Sequence, residues 1–179
     1  MVRHWTRLGL VLAVAACLVP PSSALGRDLP TVDEDTKKQL TAAASTLVQN
    51  RSQALVQRSR ERPESVPDEI LGVVISPKVA KVQERAVREL ENRNRAPIEG
   101  GPPYTGARTR LEPARAVRSG DHITLEAIEH TEVRYRTGKV IQSIRRRFDF
   151  TTQGERITLT GERVIDPKAT PVNDPAPSR

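Results

Sequence analysis

Apolar residues follow two periods along this chain, the helical period in its first half and the alternation of strands in its second. Leu40, Ala44, Leu47, Val48, Ala54 and Leu55 draw a stripe along one side of a helix that ends near Arg58. Thr31-Val32-Asp33-Glu34 has capping-box spacing at its start. Arg51 interrupts the stripe and is assigned to its margin. The charged stretch Arg58 to Asp68, with Pro63 and Pro67, reads as a loop, and neither period assigns the short apolar run Ile70 to Ile75. A second helix has clear boundaries: Ser76 caps it, and Pro77 suits its first turn, where a missing N–H costs nothing. Val79, Val82, Ala86, Val87 and Leu90 form its apolar face, and it fades around Asn92 to Asn94. Ile98 to Gly106, rich in glycine and proline, reads as a flexible connector.

From Ala107 to Ile165 the alternation predicts a meander of four strands. Ser119-Gly120-Asp121, Thr137-Gly138 and Gln153-Gly154 are the turns, each with a glycine where positive φ is easy. Pro113 marks the first strand as an edge strand or a bulged one. Helices first and strands later imply an α+β fold: two helices packed on a curved, cone-like, four-stranded antiparallel sheet. The expected organisation is a leader over 1–24, a helical half with its connector over 25–106, a sheet half of the same domain over 107–166, and a disordered, proline-rich tail over 167–179 that adds nothing to a core.

The turns also predict a register. With Thr137 and Gly138 as a two-residue loop, Tyr135 meets Val140, Ala127 meets Phe148 and Leu125 meets Phe150, so the apolar faces coincide. The same stepping puts Glu129 opposite Arg146 on the core-facing side. A loop at Gln153-Gly154 pairs Arg146 with Gly161, leaving room for the arginine, and sets Glu162 on the outer face opposite Arg145. Glu129 and Arg146 are the candidate cavity pair. They read either as the polar floor of a ligand cavity or as an internal salt bridge.

Met1 to Arg7 is basic, Leu8 to Val19 apolar, and Pro20 to Ala24 small, the form of a secretory leader cut after Ala24. The apolar run is shorter than the roughly 20 residues a membrane-spanning helix needs. Val14-Ala15-Ala16-Cys17 is also an acceptable lipobox, so lipidation at Cys17 and membrane anchoring form the alternative to release. Removal of Arg3 and Arg7 with the leader takes the formal charge from +7 to +5. That balance favours anionic surfaces only modestly. Cys17 is the one cysteine, so a chain cut after Ala24 holds no disulfide and relies on apolar burial.

Several short motifs together resemble the N-terminal noncatalytic domain of actinobacterial secreted proteins that carry an amidase domain. Thr46 to Leu55 resembles its opening helix with an Arg-x-x-Ala-Leu core. Tyr104 to Val117, Gly120-Asp121, Glu129-His130-Thr131, Val133-Arg134-Tyr135, Phe148-Asp149-Phe150, Leu159-Thr160 and Asp166-Pro167 resemble its strands and close. The likeness implies a cone fold similar to that of ketosteroid isomerase and nuclear transport factor. It implies no hydrolase activity, because the sequence reaches Arg179 where the amidase portion would begin.

The residues carry little independent chemistry. His122 at a turn and His130 on the solvent face make a poor metal site without cysteine or clustered carboxylates. No phosphate loop, nucleophile elbow or dinucleotide fingerprint occurs, and no cofactor is expected. An isomerase-like proton transfer would have only Glu129 and Tyr135 as inward candidates. Arg134, Arg136, Lys139, Arg145 and Arg147 cluster around one hairpin as candidate anion-binding residues, with Glu126, Glu132 and Asp149 sharing their surface. Nucleic acid is disfavoured as a partner by the scarcity of aromatic residues for stacking. The expected function is a secreted noncatalytic binding module that meets an anionic cell-wall polymer or another secreted protein. The alternative is a small-molecule-binding or isomerase-like cone-fold protein with a cavity around Glu129.

Overall fold

A computed structural model describes residues 31–56, 66–93 and 101–175. The leader, Cys17 and most of the loop after the first helix lie outside these residues. Among the described residues no helix is long and apolar enough to cross a membrane.

Helix α1 spans Glu34–Ala54. Its start is two residues later in role than the capping box suggests: Asp33, not Thr31, is the N-cap, and its carboxylate accepts the Thr36 N–H at 2.8 Å. That bond holds the Asp33 carboxyl below its ordinary range. The shift brings Glu34 and Asp35 into the first turn, where negative charge meets the positive end of the helix. Thr31 is freed to bridge Val117. Leu40, Ala44, Leu47, Val48, Ala54 and Leu55 are all buried, as the stripe predicts.

The run Ile70 to Ile75 resolves into strands β1 (Glu69–Ile70) and β2 (Val73–Ile75), joined through Leu71 and Gly72 at positive φ. A Cβ at Gly72 would lie 2.8 Å from Gln39 Nε2, the group that donates to the Leu71 carbonyl, so both backbone angle and space require glycine there. Helix α2 spans Pro77–Arg93, with Val79 N–H directed at Ser76 Oγ over 3.4 Å. Val79, Ala86 and Leu90 are buried, but Val82 is half exposed and leaves the predicted face.

Four long strands follow: β3 (Gly106–Ser119), β4 (His122–Tyr135), β5 (Gly138–Gln153) and β6 (Arg156–Val164). The sheet is six-stranded and mixed, in the order β1-β2-β6-β5-β4-β3, because β2 adds to β6 in parallel. The expected four-stranded antiparallel sheet is therefore incomplete. Strands of two and three residues are too short to show a period, and a parallel partner far along the chain leaves no turn signal. Pro113 acts in both predicted ways: β3 is an edge strand, and its register shifts between Pro113 and Arg115.

The inner sheet face packs on α1, and α2 packs on α1 and β6. One apolar cluster joins α1 to Ile123, Leu125, Phe148, Phe150 and Leu159. A second joins Leu55 and Leu90 to Tyr104 and Val133, so the expected flexible connector contributes a buried side chain. Tyr104 stacks at a tilt on Tyr135, ring centres 5.2 Å apart.

Candidate functional site

Both hairpin loops lie at different residues from those the glycines suggest. The β4–β5 loop is Arg136-Thr137, with Tyr135 paired to Gly138, and this slips the predicted register by two residues. Because side chains alternate with a period of two, the slip leaves every face unchanged. Glu129 now faces Ile144, and Arg146 faces Ala127. Glu129 and Arg146 become diagonal neighbours on the inner face and still meet, with Arg146 Nε 2.5 Å from Glu129 Oε2.

The β5–β6 hairpin is altered more deeply. Its loop is Gly154-Glu155, and a bulge follows: Phe150 pairs with Leu159, but Asp149 pairs with Gly161, leaving Thr160 as an extra residue whose hydroxyl bonds the Asp149 carbonyl. One extra residue reverses the facing of all that comes after it. Glu162 therefore stands opposite Phe148 on the inner side, not outside opposite Arg145. Gly161 faces outward beside Asp149, with a built Cβ 3.6 Å from Asp149 Oδ2, and makes no room for Arg146.

The result is a buried ionic cluster drawn from four parts of the fold. Arg146 Nη1 donates to Glu162 at 2.6 Å, and both terminal nitrogens reach the Asp174 carboxylate at 3.2 Å. Arg51, on the inner face of α1, donates to Asp174 at 2.6 Å and also to Glu162. Arg51 is thus a core residue rather than a marginal one, with 4% of its surface exposed. The Glu129 carboxylate is fully engaged: besides Arg146 it accepts from Thr131 Oγ1 at 2.9 Å and Asn173 Nδ2 at 2.5 Å. Asn173 also donates to Ser52 Oγ, which begins a hydroxyl chain through Thr109 to Thr131.

Burial alone would push the Glu162 carboxyl up, but the Arg51 and Arg146 guanidiniums hold it below its ordinary value. Burial likewise opposes the Arg146 charge, and Glu162, Glu129 and Asp174 more than offset it, raising its pKa further above the ordinary range. Both ions are fixed in their charged forms by each other. A group so held is a poor proton carrier, since general acid–base work needs a pKa near the operating pH.

Asn173 and Asp174 belong to the segment expected to be a disordered tail. Residues 171–175 instead lie against the body, with Pro171 and Asn173 buried, while 176–179 lie outside the described residues. A cleft of about 280 Å³ opens beside this segment, between Val79, Val82 and Ala86 of α2 and Thr160 to Val164 of β6, with Arg51, Arg146 and Asp174 in its lining. A broader, open groove of about 620 Å³ runs between α1 and the start of β3. Glu129 lines neither.

On the outer face, four of the hairpin cations are paired. Arg134 and Lys139 both hold Glu132, at 2.6 and 3.1 Å, and together keep its carboxyl below the ordinary range. Arg145 reaches Glu126 at 3.4 Å, and Arg147 reaches Asp149 at 2.8 Å. Arg136 is exposed in the loop. The same face carries Arg108 and Arg110 on β3, exposed opposite Glu132 and His130, and a row Arg115, Glu126, Arg147, Arg163 that crosses four strands. His130 is held by Ser143 at 2.8 Å and Glu112 at 3.3 Å, and His122 lies 3.4 Å from Asp121. No group of three or more metal-ligating side chains gathers among the described residues.

No family model and no curated protein matches the chain. Among solved structures it is similar to the intermembrane space region of the chloroplast protein ARC6, at 13% identity over 75% of this chain and 98% of that one, with a TM-score of 0.42.

Proposed function

We propose that the protein is a noncatalytic binding module of the cell envelope or extracellular space, and that its outer sheet face meets an anionic polymer such as those of bacterial cell walls. The observation that carries this reading is the contrast between the two faces of the sheet. Inside, each oxygen of Glu129 already accepts from a neighbour, which leaves no free base for an isomerase-like step. Tyr135, the other inward candidate, packs on Tyr104 in the second apolar cluster. Outside, Arg108, Arg110, Arg115 and Arg163 are solvent-facing and form no ion pair among the described residues. They extend the hairpin cations across the sheet, so the surface available to an anion is broader than the hairpin alone.

Cosedimentation of the secreted chain with isolated cell walls across a salt series tests this. Binding that weakens steeply with salt and is lost on replacing Arg108, Arg110, Arg115 and Arg163 by glutamine supports the module, since exposed charges are screened over about 8 Å at physiological ionic strength. No binding at low salt overturns it. The leader and the resemblance to amidase-associated domains motivate the compartment, and N-terminal sequencing of the exported protein checks the cut after Ala24 against lipidation at Cys17.

A further inference from the structure

The segment after β6 is held the way a docked peptide is held. Residues 171–175 make no backbone-to-backbone hydrogen bond to the body of the protein; the one such bond they form is internal, from Asp174 N–H to the Pro171 carbonyl. Their contacts run through side chains instead. The Gln142 amide donates to the Thr170 carbonyl and accepts the Val172 N–H, both at 3.0 Å, in place of a neighbouring strand. Arg93 donates to the Asp174 carbonyl at 3.2 Å. Beyond these, recognition falls on two adjacent side chains, the Asn173 amide between Ser52 and Glu129 and the Asp174 carboxylate between Arg51 and Arg146.

The charge balance indicates that this occupant is removable. Arg51 and Arg146 are matched by Glu129 and Glu162, all four supplied by α1, β4, β5 and β6. Asp174 is the surplus carboxylate. Its departure leaves a balanced cluster and two guanidiniums with unused donors, not the unpaired buried charge that is so costly. The residues that lead to it, Asp166 to Lys168 and Thr170, are exposed and free to swing. The adjoining cleft continues the seat past Pro175.

We propose that the Arg51–Arg146 seat is a binding site for an extended peptide segment presenting an Asn-Asp pair, and that residues 171–175 are its intramolecular occupant. The same chemistry is available from the tail of a second copy or from a segment of another protein. A trans ligand competes with the tethered one, so its apparent affinity rises when the tether is weakened.

The test uses the full chain with both anchoring side chains removed from the tail, Asn173→Ala with Asp174→Ala, and a labelled synthetic peptide copying residues 169–179. The peptide should bind this variant at least about tenfold more tightly than it binds the unaltered chain, as expected when an occluding state is relieved. A peptide with alanine at the aspartate position should bind neither. Equal binding of the two peptides, or no binding to a folded variant, overturns the proposal. Should the double variant fail to fold, Asp174→Asn takes its place; a chain that neither melts cooperatively nor regains its melt with added peptide also overturns it. Light scattering of the unaltered chain over a concentration series distinguishes the sources: a dimer that excess peptide dissolves points to a second copy, and a monomer throughout points to another protein.

Discussion

Arg145, Arg146 and Arg147 are consecutive on β5 and chemically identical, yet they occupy two different electrostatic worlds. The Arg146 side chain is 1% exposed and touches three carboxylates. Arg145 is 64% exposed and reaches one carboxylate at 3.4 Å, and Arg147 is 32% exposed beside Asp149. The pleat alone sets this difference, since successive side chains point to opposite faces. The worth of an arginine in this protein therefore follows its strand parity. Exposed ion pairs contribute about 0–1 kcal/mol, whereas breaking a buried pair on one side costs about 3–5 kcal/mol.

The widest separation of the two faces comes from truncating the arginines singly. Arg146→Ala strands Glu129 and Glu162 in the interior and should destabilise by about 3–5 kcal/mol in urea unfolding. Arg145→Ala should change the same measurement by less than about 1 kcal/mol. Comparable losses for both variants would remove the distinction between the faces. Deleting Thr160 attacks the same contrast through the backbone. Without the bulge, β6 keeps its alternation past Leu159, Glu162 turns outward, and Arg51 and Arg146 lose a shared partner. The expected loss is again several kcal/mol by the same mechanism, read as a lowered urea midpoint.

That bulge also marks where the sequence stops being legible. The period of two places Phe148, Phe150, Leu125 and Ile123 inward correctly, because a register error of two residues is invisible to facing. It brings Glu129 and Arg146 together for the same reason. A bulge shifts by one, and nothing in Thr160-Gly161-Glu162 announces it, so Glu162 is assigned to the wrong face. Arg51 does carry a signal: it falls within the buried stripe of α1, on the side where the strands already hold an inward carboxylate and guanidinium. Asn173 and Asp174 carry none, since their burial depends on a seat assembled from α1, β4, β5 and β6. β1 and β2 escape for a simpler reason, being too short to display any period.

A sharper measure is the coupling within each pair. A double-mutant cycle on Glu129 and Arg146 should give an interaction energy of about 1–3 kcal/mol, as for residues sharing one network. The equivalent cycle on Glu126 and Arg145 should give less than about 1 kcal/mol. Additive losses at the buried pair would mean that the shared contacts with Thr131, Asn173 and Asp174, rather than the pair itself, hold these groups in place.

Acid resolves the contrast by titration. Glu162 is ionised in the folded state to a lower pH than in the unfolded chain, whose carboxyl takes its ordinary value of 4.5. The unfolded state therefore binds the proton first as pH falls, and stability drops with it. The contribution of Glu162 is fully present above pH 4.5 and disappears as the pH passes down through its lowered folded value. Glu162→Gln should start less stable at neutral pH and lose less between neutral and acid, so urea midpoints of the two proteins converge at low pH. Added salt should hardly alter this convergence, because the cluster is shielded from counterions, but it should diminish whatever small effect Arg145→Ala produces. Parallel pH profiles for Glu162→Gln and the unaltered chain would show that the inner guanidiniums do not govern this carboxylate, and the distinction between the faces would then rest on packing alone.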